Sequence, residues 1–274
     1  MSRAFAPSVY RPMEMYPMNF LTVRSRRIEY LRLHANKPKP QTPIIVMLHE
    51  GLGSIAMWRD FPQQVADATG CELLVYSRYG YGNSDPIERS HSVDFMHKEA
   101  LESLPDLLDQ LDVRKPILLG HSDGGSIALI HAGGAHRDLT GMIVMAPHVL
   151  VEDLSVTSIA AAREAYLNSN LREKLGKYHA NVDSAFWGWN DIWLHPEFLH
   201  WNIEEYLPSI ACPVLAIQGV DDEYGTMEQI DIIGRNVKDV ELLKLSHCGH
   251  SPHRDQPRAV LEAVAAFVEK ITGS

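Results

Sequence analysis

Cysteine is scarce in this chain. Cys71, Cys212 and Cys248 are the only three among 274 residues, scattered and odd in number. That argues against a disulfide framework and fits a reducing compartment. Long apolar runs are absent, and no stretch is long enough to span a bilayer. The opening segment Met1 to Phe20 is rich in Pro, Met and Tyr and has no apolar signal core, so a cytoplasmic protein is expected, without a membrane partner. Basic residues are outnumbered, 25 Lys and Arg against 35 Asp and Glu, for a net charge of −10. A balance of that sign disfavours nucleic acid as a partner. Internal repeats and low-complexity tracts are missing. Gly51-Leu52-Gly53 and Gly80-Tyr81-Gly82 do not have the G-x-G-x-x-G spacing of a dinucleotide site. No cofactor is expected.

What is present is a regular alternation. Short apolar runs read as strands: Ile44–Leu48, Glu72–Ser77, Pro116–Leu119, Gly141–Met145, Pro213–Gln218 and Val240–Leu245. Phe20–Val23 and Ile28–Leu33 suit an opening antiparallel pair, and Lys37-Pro38-Lys39-Pro40 is a non-helical linker. Helices are expected at Trp58–Thr69, at Val93–Leu111 with a kink at Pro105, and after Gln256, with Pro257 in the first turn. Such alternation implies an α/β protein, with a mainly parallel sheet covered by helices on both faces. Between Pro147 and Pro208 the pattern changes. Helix-like pieces, Ile159–Asn168 and Leu171–Ala180, precede a Trp-rich run from Phe186 to Trp193, and no buried strand is evident.

Gly120-His121-Ser122-Asp123-Gly124-Gly125 stands between the strand Pro116–Leu119 and the helix-like Ser126–Ala132. A serine on so tight a strand-to-helix turn presents its hydroxyl outward, and the flanking glycines let the chain turn without a Cβ clash. A hydroxyl nucleophile needs a base, and the base needs an orienting acid. Near the C-terminus, His250 follows one strand and Asp221-Asp222 follows another, giving the chain order Ser, Asp, His. His247 and His253 bracket His250 at three-residue spacing. Gly249 and Pro252 interrupt that run, so a shared helical face, and hence a metal, is not expected. Cys248 reads as a small packing residue.

At these residues the chain resembles the α/β-hydrolase fold superfamily, over nearly its whole length. The strand and loop Ile44 to Gly53 are similar to the family's HG-type oxyanion loop, Tyr76 to Asp85 to its D-x-R-G-x-G-x-S loop, and Gly249-His250 with Pro252 to its G-H-x-P segment. The resemblance implies a mostly parallel eight-stranded sheet flanked by helices. Residues 1–146 and 209–274 would form the core, and 147–208 a helical cap over the active site. It implies Ser122 as nucleophile, His250 as base and, three residues after Gly219, Asp222 as the acid rather than Asp221. The oxyanion would be held by backbone N–H groups of Asp123 and of Gly51 or Leu52. Glu50 departs from the family's usual glycine; its carboxylate is expected either to point toward the site and bind substrate or to face solvent. Trp187 and Trp189 are the candidate pocket aromatics, unless they only pack cap onto core.

The elbow is also similar to that of valacyclovirase-type hydrolases, in which the acid after the serine recognises an α-amino group. Asp123 is therefore a candidate amine site, its plainer role being to sit favourably at a helix N-terminus. The function implied is a cofactor-independent serine hydrolase of a small carboxylic ester, thioester or lactone. The alternatives are a carbon–carbon bond hydrolase of ring-cleavage products and, from another class, a non-catalytic small-molecule binder on the same fold. Oligomeric state is left open, a homodimer included.

Overall fold

The short apolar runs become the strands of one sheet. In the computed structural model, which describes residues 18–88 and 90–273, eight strands form in chain order. They are β1 (Asn19–Val23), β2 (Arg26–Leu33), β3 (Ile45–Leu48), β4 (Leu73–Tyr76), β5 (Ile117–His121), β6 (Gly141–Met145), β7 (Val214–Gly219) and β8 (Val240–Leu245). Their spatial order is β1-β2-β4-β3-β5-β6-β7-β8. β1 and β2 pair antiparallel at one edge, β2 pairs antiparallel with β4, and the remaining pairs are parallel. Most of the opening Pro-, Met- and Tyr-rich segment lies outside the described residues.

Side chains that alternate along each strand enter two separate cores, one on each face of the sheet. Ile45 and Met47 of β3, with Ile117 and Leu119 of β5, pack beneath helices α1 (Phe61–Thr69) and α9 (Pro257–Thr272). Val46 and Leu48, with Leu118, face the opposite core. That core includes Ile127 and Ile130 of α4 (Asp123–Gly134) and Ile230 and Ile233 of α8 (Glu228–Asn236). β8 is the exposed edge; it places Glu241 and Lys244 outward, charges that discourage strand addition from another chain.

The segment expected as one kinked helix is three pieces: α2 (Phe95–Lys98), a π-helical turn over Glu99–Ser103, and α3 (Leu104–Gln110). Pro105 lies in the first turn of α3, and a wider turn just before it accommodates a ring that cannot fit against a normal helical carbonyl. The helix before β4 begins at Phe61, because Ala56–Trp58 forms a separate 3-10 turn.

Between β6 and β7 lies a helical insertion. It holds α5 (Asp153–Asn168), α6 (Leu171–Leu175) and α7 (Val182–Trp193), followed by 3-10 turns at Phe198–His200 and Glu204–Ser209. α5 starts six residues ahead of the expected Ile159, and α6 stops at Gly176 rather than running to Ala180. The Trp-rich run is α7, capped by the Asn181 side chain on the Ser184 N–H. Much of its aromatic content is internal packing. Trp193, Phe198 and Trp201 form a continuous cluster, and Tyr166 stacks on Phe186 at 3.7 Å between centroids. Each such pair adds about 0.5–1.5 kcal/mol beyond area burial.

Candidate active site

The candidate site residues gather at the C-terminal ends of the parallel strands. β3 is followed in sequence by its neighbour β4 on one side, whereas β5 pairs with its other side, so the strand order switches there. Open α/β sheets bind ligands in the crevice above such a switch. Ser122 follows β5 and caps α4 with φ 51° and ψ −120°, a strained conformation for a side-chain-bearing residue. The turn closes because its glycines are bare. A β-carbon on Gly124 would run into the Leu48 carbonyl, and one on Gly120 would stand 2.7 Å from the Gly125 α-carbon. The Ser122 N–H donates to the Met145 carbonyl at 2.9 Å, which fixes the turn against β6.

From Ser122 a chain of hydrogen bonds runs to a buried carboxylate. Ser122 Oγ is 2.9 Å from His250 Nε2, and His250 Nδ1 is 2.9 Å from Asp222 Oδ1 and 3.0 Å from Oδ2. Asp222 is fixed on its other side. Oδ1 accepts from the Tyr224 N–H at 2.8 Å and the Gly225 N–H at 3.2 Å, and Oδ2 accepts from Gln218 Nε2 at 2.8 Å. Burial alone would raise this carboxyl, but the bond and charge of His250 with the Tyr224 N–H hold it below its ordinary range. Asp221 is exposed and takes no part; its backbone N–H donates to the Cys248 carbonyl. The two flanking histidines diverge. His247 is exposed at φ 53°, while His253 is buried between Trp58 and Phe61, where burial pushes its imidazole down to about 3.

The loop after β3 faces the elbow. His49 Nδ1 donates to the Glu50 carbonyl at 2.7 Å, and its Nε2 accepts from the Arg78 N–H at 3.0 Å. Arg78 Nη2 donates to the same Glu50 carbonyl at 2.9 Å. Among the described residues, the N–H groups of Gly51, Leu52 and Asp123 have no hydrogen-bond partner in the protein. A side chain on Gly51 would collide with Trp189 Nε1 and stand 3.2 Å from Asp123 Oδ2, so the loop, the elbow and α7 meet at this point. Trp189 is thus beside the site. Trp187 is not among these contacts; it packs on Tyr166 and Phe186, with Arg163 over its ring.

Asp123 is 1 % exposed, and both carboxylate oxygens lack a partner. Burial pushes it up to about 6, against the pull of the Arg78 charge and of the neighbouring Trp193 indole N–H. The Glu50 side chain is 20 % exposed and points toward the back of the site, with Oε2 3.4 Å from His121 Nδ1.

Three supports escaped the sequence reading. Gln218 was legible as the lone polar side chain in an apolar strand. His179 of the insertion donates from Nε2 to the Leu52 carbonyl at 2.9 Å and accepts from the Gly82 N–H at 3.0 Å, tying the insertion to the loop. His121 donates from Nε2 to the His250 carbonyl at 2.7 Å. Neither histidine carried a local signal, because its partner lies far along the chain.

An eight-stranded, mostly parallel sheet with a serine elbow after its fifth strand defines an α/β hydrolase. The sequence agrees: residues 45–263 match the alpha/beta hydrolase family, and the chain belongs to it. The chain is 28 % identical over 193 residues to human serine hydrolase BPHL, a match covering 66 % of this chain and 64 % of that protein. It is 22 % identical to a 2-hydroxy-6-oxononadienedioate/2-hydroxy-6-oxononatrienedioate hydrolase of Cupriavidus pinatubonensis, across 91 % of this chain and 94 % of that one. Among solved structures, proline iminopeptidase of Mycobacterium smegmatis superposes with a TM-score of 0.75 at 17 % identity, covering 93 % of this chain and 98 % of that one. No helix among the described residues is long and apolar enough to cross a membrane.

Proposed function

We propose that this protein is a cofactor-independent serine hydrolase of a small carboxylic ester, thioester or lactone, with Ser122, His250 and Asp222 as its triad. The observation that carries the reading is the unbroken chain from Ser122 Oγ through both nitrogens of His250 to Asp222, with each link between 2.9 and 3.0 Å. Asp222 accepts only, so it holds His250 with the proton on Nδ1 and leaves Nε2 free to accept. Ser122 Oγ attacks the carbonyl carbon as its proton passes to Nε2. Negative charge develops on the carbonyl oxygen, beside the unpartnered N–H groups of Asp123 and of Gly51 or Leu52. Collapse expels the leaving group with the Nε2 proton, leaving an acyl-enzyme. Water, activated by the same imidazole, then releases the acid. The helical insertion acts as the cap, with Trp189 in the wall of the acyl site.

Within this reading Asp123 selects an amine. A buried carboxylate with no well-aligned hydrogen bond, only the Trp193 indole beside it, is costly, and a substrate ammonium would satisfy it. Amino-acid esters should therefore exceed their des-amino counterparts in kcat/KM, and Asp123→Asn should erase the difference. Equal rates for both esters in the wild type would end the amine assignment.

Carbon–carbon cleavage is the second reading, favoured by the relative from Cupriavidus, which matches over most of both chains. Initial rates on a neutral nitrophenyl ester, for wild type and Ser122→Ala, separate the two. Turnover that vanishes in the variant supports ester chemistry. A folded wild type that leaves esters intact but cleaves a ring-fission dienoate would replace it.

A further inference from the structure

We propose that the partly exposed Glu50 and the buried His121 form an ion pair behind the triad, with His121 carried as the imidazolium, and that this pair positions His250 and the oxyanion loop together. His121 occupies the position between the elbow glycine and Ser122 and is 1 % exposed. Both of its nitrogens face acceptors: Nε2 lies 2.7 Å from the His250 carbonyl oxygen, and Nδ1 lies 3.4 Å from Glu50 Oε2. A carbonyl can only accept, so Nε2 carries a hydrogen. An ionised carboxylate can only accept, so a bond from Nδ1 to Glu50 requires a hydrogen there too, and a neutral imidazole has a single N–H. The opposite charge of Glu50 offsets the cost of burying the cation, and removing either partner would leave the other uncompensated.

The surroundings favour this placement of the proton. The titratable groups facing His121 are Glu50 after β3, His148 after β6, Asp222 after β7, and His250 and His253 after β8. Burial pushes His148 and His253 down to about 3, so neither competes as a cation. Burial also opposes charge on His121, but the bond and charge of Glu50, the His250 carbonyl and Asp222 together raise it above its ordinary value. Glu50 is held low in turn: burial would raise it, and the bond and charge of His121 outweigh that.

The pair joins two parts of the site. The Glu50 carbonyl is gripped by His49 and Arg78, which orders the oxyanion loop. Its side chain reaches His121, which grips the His250 backbone carbonyl, while the His250 N–H donates to Glu223 Oε2 at 3.1 Å. His250 is thus held at its ring, its N–H and its carbonyl. Glu50 and His121 are positioning residues that act through His250 and the loop.

The activity arm of the test rests on the serine hydrolase reading; a spectroscopic arm does not. In the wild type, kcat/KM should fall on the alkaline side as His121 loses its Nδ1 proton. Glu50→Gln can donate its amide N–H to a neutral His121 Nδ1; it should keep most of the rate near pH 7 and lose the alkaline limb. Glu50→Ala should lower kcat up to about 100-fold, the scale of a small misplacement of reacting groups, with KM changed less than about 3-fold. An alkaline limb that persists in Glu50→Gln, or an unaltered Glu50→Ala, would overturn the proposal. Nitrogen NMR of ring-labelled histidine in the unmodified protein, assigned with His121→Gln, should show both His121 nitrogens protonated at pH 7. A single protonated nitrogen refutes the ion pair, whether or not Glu50→Ala folds. Two protonated nitrogens without ester turnover would leave the pair intact and overturn the hydrolase reading.

Discussion

Asp222→Asn is a near-isosteric change whose effect follows from the hydrogen bonds around one carboxylate. Asp222 receives four kinds of donor: His250 Nδ1, the Tyr224 and Gly225 N–H groups on Oδ1, and Gln218 Nε2 on Oδ2. The two backbone N–H groups fix the asparagine carbonyl at the Oδ1 position. The amide nitrogen then falls at Oδ2, against Gln218 Nε2 and within reach of His250 Nδ1. Gln218 can adapt by rotating its amide so that its unpartnered Oε1 accepts from the new N–H, at the loss of the bond its Nε2 makes to the Gly225 carbonyl at 3.1 Å. His250 adapts only by moving its proton to Nε2, since Nδ1 must now accept from the asparagine amide. In that tautomer Nε2 cannot take the Ser122 proton. The loss expected is about 10⁴-fold in kcat, the magnitude known for the equivalent change in another Ser-His-Asp enzyme, or about 5.4 kcal/mol of barrier. KM should change little, because Asp222 does not touch substrate. The fold should survive with a modest loss of stability, since the bond to the Gly225 carbonyl is the one buried hydrogen bond given up. Stopped-flow or initial-rate kinetics on a nitrophenyl ester, with a thermal melt of the same preparation, measure both parts. A fall of less than 10-fold with an intact fold would refute the tautomer argument.

Other outcomes follow from the same contacts. Gly124→Ala places a β-carbon against the Leu48 backbone carbonyl and 2.6 Å from the His49 carbonyl oxygen, neither of which can swing aside; overpacking of about 1–3 kcal/mol should lower Tm by several degrees in calorimetry. Trp189→Ala should raise KM at least several-fold, because the indole abuts Gly51 beside Asp123, whereas Trp187→Ala should leave kcat/KM nearly unchanged; equal effects would contradict the placement of α7. Stability should drop steeply with acid. His148 and His253, pushed down to about 3, stay neutral in the native protein while the unfolded chain takes up protons below about 6.5, so this contribution is full above 6.5 and is lost as pH falls toward 3. His253→Phe should reduce that slope by about one proton in urea melts run from pH 7 to 4.

The elbow and the strand order along the chain were legible in the sequence from local chemistry, whereas the choice of Asp222 as the partner of His250 rests on the family resemblance. A glycine-flanked serine between an apolar strand and a helix marks the turn, and the resemblance implies Asp222 rather than Asp221, three residues after Gly219; in the fold it is Asp222 that meets His250. The insertion was legible as a break in the strand pattern, though its helix ends were not. α5 begins at Asp153, where the apolar stripe is weak, and the π-turn before Pro105 is set by packing around a proline ring. The ligature of His121 to the His250 carbonyl spans 129 residues, and that of His179 to Leu52 spans 127. Such bonds depend on tertiary convergence and leave no periodicity to read. Glu50 stands out in the sequence because it departs from the family's usual glycine, but only the fold shows that its carboxylate turns to His121.

The central claim is that Ser122 is an activated nucleophile. A fluorophosphonate probe followed by peptide mass spectrometry tests it without knowledge of the substrate. The account expects one covalent adduct, on the peptide carrying Ser122, absent in Ser122→Ala and greatly slowed in His250→Ala. An adduct on another residue, or none on the folded wild type, would contradict it.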